Sequence, residues 1–162
     1  MHSSKLNNLI LFVNFFYKNI TMKKFLMVTL FGMLSACNKD DGMVNDNNPY
    51  LPSYSVNKTI NLGWPSYSNL QFAGNSVFIS GADAGIRGII VFNTGSGFTA
   101  FDAACPNQAL SSCSTMQING AMAVCPCDDK QYSLFYGTSQ GMPYPMRRYN
   151  VEVNGNSLTI FN

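Results

Sequence analysis

From residue 54 onward the apolar runs are short, rich in β-branched and aromatic residues, and closed by residues that turn the chain. Val77-Phe78-Ile79-Ser80 and Gly88-Ile89-Ile90-Val91-Phe92-Asn93 flank Gly81-Ala82-Asp83-Ala84-Gly85. Thr94-Gly95-Ser96-Gly97 then leads into Phe98-Thr99-Ala100-Phe101-Asp102. Near the C-terminus Tyr149-Asn150-Val151-Glu152-Val153 and Ser157-Leu158-Thr159-Ile160-Phe161 bracket Asn154-Gly155-Asn156. Side chains branched at Cβ or carrying rings suit a pleated, half-buried surface, and Asn-Gly accepts the positive φ of a tight hairpin. No long helical periodicity and no internal repeat is visible, so the chain is expected to be all-β and antiparallel. The glycines of 81–85 read as a turn: they precede a strand, whereas a phosphate-cradling loop opens a helix.

A length of 162 residues is a prior for one domain and allows a real core. Charged residues make up only 11% of the chain, and the formal +2 hides an asymmetry. Lys5, Lys18, Lys23 and Lys24 precede Cys37, while every acidic residue follows it, leaving a net −2 from Cys37 onward. A phosphate-binding surface needs clustered Lys and Arg, so nucleic acid is excluded as a partner. The one adjacent basic pair of that part, Arg147-Arg148, reads as a solvated strand face.

The N-terminal part reads as an export leader. Residues 22–37 run Met-Lys-Lys-Phe-Leu-Met-Val-Thr-Leu-Phe-Gly-Met-Leu-Ser-Ala-Cys, with two lysines, a short apolar run and small residues before a cysteine. The run is too short to span a bilayer comfortably. Leu34-Ser35-Ala36-Cys37 resembles a lipobox, which implies cleavage before Cys37 and acylation of its thiol. Met22 is read as the true start. The segment Asn38-Lys39-Asp40-Asp41 resembles the signal that carries Bacteroidetes-type lipoproteins to the outer cell surface. The expected organisation is a leader over 1–37, a flexible linker over 38–53 and a β domain over 54–162. The expected location is the outer membrane, with exposure at the cell surface expected from the 38–41 segment, and the membrane is met through the lipid.

Four cysteines remain, in two loops: Cys105-Pro106-Asn107 with Cys113, and Cys125-Pro126-Cys127-Asp128. Together with Gln131-Tyr132-Ser133-Leu134, Gly137 and Gly141-Met142-Pro143-Tyr144-Pro145, they resemble a Rieske iron–sulfur domain. That family carries Cys-x-His on one loop and Cys-x-x-His on the other, separated by a gap like residues 108–124. A proline loop similar to 141–145 shields its cluster. The resemblance spans 55–162 and is most specific over 101–149. It implies a small Rieske-like antiparallel β-sandwich with two cysteine-bearing loops. It also places cluster-ligand positions at Cys105, Asn107, Cys125 and Asp128.

The departure from that pattern matters as much. The only histidine is His2, in the leader, so both imidazole positions have changed. Two thiolates on one iron and two imidazoles on the other define a Rieske centre. An Asn amide oxygen is a poor iron ligand and a carboxylate is a hard one, so the expectation is no cofactor, with [2Fe-2S] only if the family function is retained. Three accounts of the thiols stay open at this point. In the first the oxidising exported compartment favours disulfides. The resemblance suggests Cys113–Cys127, with Cys105 and Cys125 left as neighbours that can also pair. The second is a thiolate metal centre, with Cys105 and Cys125 as the metal-ligand candidates. The third is an exchanging thiol pair, which requires a stabilised thiolate and is opposed by Asp128 and Asp129.

Other features carry bland readings. Met116, Met122, Met142 and Met146 are expected to fill apolar space rather than bind copper. Trp64, Tyr50, Tyr54 and Tyr67 are expected to be buried at strand ends. Asn57-Lys58-Thr59 matches a glycosylation sequon that arises often by chance. Without a histidine beyond the leader, the commonest general base is missing and no hydrolytic constellation can form. The function expected is a structural or interaction module on a lipoprotein, with electron transfer through a non-standard centre as the alternative. No protein or redox partner can be read from the residues.

Overall fold

The computed structural model describes residues 47–162. The leader, Met22, Cys37 and the Asn38–Asp41 segment lie outside the described residues. The strands are β1 (Asn57–Asn61), β2 (Ser76–Ile79), β3 (Ile89–Asn93), β4 (Phe98–Asp102), β5 (Gln117–Asn119), β6 (Met122–Val124), β7 (Gln131–Ser133), β8 (Arg148–Asn154) and β9 (Ser157–Phe161). All their pairings are antiparallel. They form a six-stranded sheet, ordered β1-β9-β8-β4-β3-β2, and a three-stranded sheet, β5-β6-β7. A 3-10 helix over Pro65–Gln71 is the one helical element among the described residues, started by the proline and packed through Leu70. The all-β antiparallel fold expected from the turn pattern is the one observed.

The six-stranded sheet curls so that its halves face each other. Ile60, Leu158 and Ile160 from β1 and β9 meet Ile89, Val91 and Ala100 from β3 and β4, with Val56, Leu70, Ile79 and Tyr149 closing the core. A second core lies on the opposite face of β3 and β4. There Ile90, Phe92 and Phe101 pack against Ala123, Tyr132, Leu134, Met116, Met146, Cys105 and Cys125. Successive strand residues point to opposite faces, so Ile89-Ile90-Val91-Phe92 supplies both cores and all four side chains are fully buried. Each such burial contributes about 1.5–3 kcal/mol of favourable transfer free energy. An uninterrupted apolar run, rather than an alternating one, is the sequence mark of a strand covered on both faces.

Asp102, the last residue of β4, is fully buried and ties the strand to its surroundings. Its carboxylate accepts hydrogen bonds from the backbone N–H groups of Ile86 (2.6 Å), Arg87 (3.3 Å) and Ala104 (2.8 Å) and from the Tyr149 hydroxyl (2.7 Å). Buried charge is tolerated only when its lone pairs are used in this way. Gly85 closes over the cluster with φ +76°, and a Cβ there would lie 2.5 Å from Asp102 Oδ2. The result is a fixed platform where the chain leaves β4 for the first cysteine loop.

Three sequence expectations need correction. The flexible linker expected through residue 53 has a docked end. Leu51 is buried, Asn48 Nδ2 donates to Pro106 O (2.8 Å), and the Arg147 guanidinium donates to Leu51 O (2.9 Å) and Pro52 O (2.7 Å). Arg147 is therefore buried and not part of a solvated face, because two backbone carbonyls satisfy its donors. Its neighbour Arg148 is exposed and lies 5.9 Å from the Phe101 ring centroid. Tyr50, Tyr54 and Trp64 are exposed rather than buried, with Trp64 stacked on Tyr67 at 6.4 Å. Met116 and Met146 do fill the second core, as expected of methionine.

Candidate functional site: two joined cysteine loops

The first loop leaves β4 and returns upon itself. Met116 N donates to Ala103 O (2.7 Å) and Cys105 N to Ser114 O (3.0 Å), while Ala104 and Thr115 form an isolated antiparallel bridge. The second loop joins β6 to β7. Cys125 N donates to Lys130 O (2.9 Å) and Asp129 N to Cys125 O (2.9 Å), with Asp129 in the left-handed region at φ 57°. An aspartate tolerates that conformation better than most residues with a Cβ, which explains the Asp128-Asp129 pair at this turn.

Two disulfides join the loops. Cys105 pairs with Cys125, with Cα atoms 5.7 Å apart, and Cys113 pairs with Cys127 at 5.3 Å. Both separations lie in the ordinary range for such bonds. The environments differ: Cys105 and Cys125 are buried in the second core, Cys127 is half-buried and Cys113 is exposed. The Sγ atoms of Cys105, Cys125 and Cys127 all lie within 4.8 Å of one another. Ser111 Oγ lies 3.2 Å from Cys113 Sγ and 3.7 Å from Cys127 Sγ, and Ser114 Oγ lies 3.8 Å from Cys127 Sγ.

Asn107, at the first imidazole position, is engaged in three hydrogen bonds. Its Nδ2 donates to the Tyr132 hydroxyl (2.9 Å) and to Tyr144 O (2.6 Å), and its Oδ1 accepts from Tyr144 N (3.0 Å). The amide thus fastens the 141–145 proline loop to the first cysteine loop. Burial pushes the Tyr132 hydroxyl above its ordinary value, opposed by the Asn107 hydrogen bond and assisted by the Asp128 charge. The other end of the proline loop is set by Met146 N donating to Gly137 O (2.8 Å). Gly137 has φ +76°, and a Cβ there would lie 2.5 Å from the Phe101 ring, so no other residue fits that corner. Tyr144 also meets the docked N-terminal segment through an edge-on contact with Tyr50, 6.0 Å between centroids.

Asp128, at the second imidazole position, is exposed, and its Oδ1 accepts from Lys130 N (3.1 Å) within its own turn. The structure therefore brings Cys105, Asn107, Cys125, Cys113 and Cys127 together and leaves Asp128 at the rim. Sequence reasoning assigned no role to Tyr132, Tyr144, Ser111 or Ser114. The two tyrosines lie inside segments that carry the Rieske resemblance, which is the only signal that pointed at them.

This donor set does not fit a Rieske-type [2Fe-2S] centre. Both thiolate positions are used by one disulfide, the asparagine amide has its oxygen and nitrogen committed to Tyr144 and Tyr132, and neither imidazole position holds a nitrogen ligand.

No protein-family model matches this sequence, and no curated protein matches it. Among solved structures, the chain is similar to one described as the complex of reduced oxygenase and oxidised ferredoxin in carbazole 1,9a-dioxygenase. The identity is 17%, the match covers 67% of this chain and 94% of the other, and the TM-score is 0.46. It is also similar to a Sphingomonas yanoikuyae B1 ferredoxin, with 16% identity, 56% and 88% coverage and a TM-score of 0.41. A third is a putative NADH-dependent nitrite reductase small subunit from Mycobacterium tuberculosis, with 18% identity, 68% and 97% coverage and a TM-score of 0.43. In this chain, the four positions that the sequence resemblance assigns to cluster ligands hold two joined cysteines, a clamping asparagine and an exposed aspartate.

Proposed function

We propose that this chain is an outer-membrane lipoprotein whose Rieske-like domain has exchanged its cluster for covalent cross-links and serves as a structural or interaction module. One observation carries the reading: each residue at a former ligand position has another structural task. Cys105 and Cys125 join the loops, Asn107 fastens the proline loop, and Asp128 caps its own turn. The leader over 22–37, with Cys37 as its lipid-acceptor candidate, supports export to an oxidising compartment, where such bonds persist. Asn38-Lys39-Asp40-Asp41 supports display at the cell surface. What the domain presents there includes several exposed rings, among them Trp64, Phe72 and Tyr136.

The test is a joint assay of metal and thiols on the full chain, isolated after export and after cytoplasmic expression. The exported protein is expected to be colourless, free of stoichiometric iron and zinc, and without free thiol, the Cys37 sulfur being blocked by its lipid. Stoichiometric iron with visible absorbance would overturn the proposal in favour of an electron carrier.

A further inference from the structure

We propose that the exposed Cys113–Cys127 disulfide is a redox gate, through which reducing equivalents reach the buried Cys105–Cys125 bond by internal thiol–disulfide exchange at Cys127. The buried bond cannot be attacked directly, because both of its cysteines are 1% exposed. Cys113, by contrast, is exposed and lines a surface groove of about 570 Å³ with Phe78, Met116, Ile118 and Pro126. The sulfur bonded to Cys113 is the one that touches the buried pair: Cys127 Sγ lies within 4.8 Å of both Cys105 Sγ and Cys125 Sγ.

The chemistry balances with a small-molecule thiol as reductant. A thiolate attacks Cys113 Sγ, the Cys113–Cys127 bond breaks, and its electron pair leaves on Cys127. A second thiolate resolves the mixed disulfide, giving the oxidised small molecule and a Cys113 thiolate. The Cys127 thiolate then attacks Cys105 Sγ, forming Cys105–Cys127 and expelling Cys125 as thiolate. Attack on Cys105 is favoured over Cys125, because a Cys125–Cys127 bond would close a small ring across Pro126, whose φ is fixed. In total one disulfide is reduced and two small thiols are oxidised.

The surroundings favour each departure. Disulfide sulfurs carry no hydrogen, so Ser111, whose Oγ lies 3.2 Å from Cys113 Sγ and 3.7 Å from Cys127 Sγ, can only donate to them, and its one hydroxyl proton can turn to the sulfur that becomes the thiolate and stabilise it. The Arg87 guanidinium donates to Ser111 O (2.9 Å) and so holds a cation and this serine on the same side of the loop. Asp128, one of the two carboxylates that oppose a thiolate in this loop, accepts from Lys130 N within its own turn. Held sulfurs at this separation act on one another as a unimolecular pair, which raises their effective concentration far above that of any external thiol.

The inference rests on the disulfide reading of the four sulfurs, and its failure is separable from failure of that reading. Iron on the purified chain removes both, whereas an untouched buried bond removes only the relay. The experiment is partial reduction of the full, oxidised chain with glutathione, acid quenching, alkylation and peptide mapping. Expected is an intermediate with a Cys105–Cys127 bond and labels on Cys113 and Cys125. Labels confined to Cys113 and Cys127, with Cys105–Cys125 intact, would overturn the relay. The variant Cys113→Ser provides a second arm without external reductant. Its single unpaired core thiol is expected to be found partly on Cys125, and recovery on Cys127 alone would overturn the proposal. In Cys127→Ser the free thiol is expected to stay on Cys113, outside the triangle of sulfurs, and its migration to a buried position would count against Cys127 as the gate.

Discussion

Asn107 and Tyr144 exchange two hydrogen bonds, side-chain N–H to backbone carbonyl at 2.6 Å and backbone N–H to side-chain oxygen at 3.0 Å. The asparagine amide mimics a peptide group and reads the backbone of Tyr144 in the manner of a neighbouring strand. Histidine offers a different spacing of donor and acceptor, so the replacement is a fitted one and more than a lost ligand.

Asn107→Ala removes both of these bonds and the one to Tyr132, leaving Tyr144 N–H and C=O half-buried and unpaired. The expected loss is about 2–3 kcal/mol, since unmade hydrogen bonds cost the desolvation of the groups left behind. Thermal melting gives the stability, and hydrogen exchange at the Tyr144 amide shows whether the proline loop has come loose. Full protection of that amide in the variant would contradict the clamp.

The two disulfides close loops of 20 and 14 residues in sequence separation. Replacing either pair by alanines is expected to lower stability by about 3 kcal/mol through the freed unfolded chain. In a domain of this size that is a fall of about 10 °C or more in Tm. Loss of Cys105–Cys125 is expected to be the more severe, because it also removes sulfur from the second core. Equal melting temperatures for the two double variants would show that the buried bond adds no packing.

Ser111→Ala is expected to slow the first reduction step by about tenfold, in keeping with loss of one hydrogen bond to a developing thiolate. Stability should change little, since the hydroxyl is exposed. Rates of Cys113 and Cys127 alkylation in glutathione buffer measure this, and an unchanged rate would remove the serine from the gate.

The Tyr149 hydroxyl is raised well above its ordinary 10.0 by burial first, then by the Asp102 charge and its hydrogen bond. The folded state therefore favours the protonated phenol. Its contribution is fully present below about pH 10 and is lost as pH rises from there toward the folded value. Tyr132 acts in the same direction. Denaturation midpoints are expected to fall above pH 10, together with cooperative appearance of tyrosinate absorbance. In Tyr149→Phe the alkaline fall should be shallower, although stability at neutral pH drops because Asp102 loses one of its four donors. An identical alkaline slope in the variant would separate Tyr149 from the transition.

Much of this was legible in the chain because turns and strands announce themselves by residue type. Thr94–Gly97 and Asn154–Asn156 place β3, β4, β8 and β9 to within a residue or so. The three-residue strands β5, β6 and β7 carry too few side chains for alternation to register; β6 and β7 are held through Ala123 and Tyr132 in the core of Phe92 and Phe101, and the exposed β5 by its pairing with β6. The cysteines and the proline loop were visible as a site. Its wiring was not, because Asn107, Tyr132 and Tyr144 are distant in sequence and none is a residue type that signals its partner. Asp102 and Arg147 were hidden for the opposite reason. Charged residues are read as exposed by default, and here carbonyls and amides from other segments replace the water.

β3 contributes Ile89 and Val91 to one core and Ile90 and Phe92 to the other. Neither core can be wetted while that strand keeps its place, and neither survives its departure. The domain therefore opens as a single cooperative unit, and the β3 amides should be among its slowest to exchange. For the cysteine loops, this means that the floor beneath them does not breathe separately from the rest of the domain, so their chemistry is governed by what reaches them from outside.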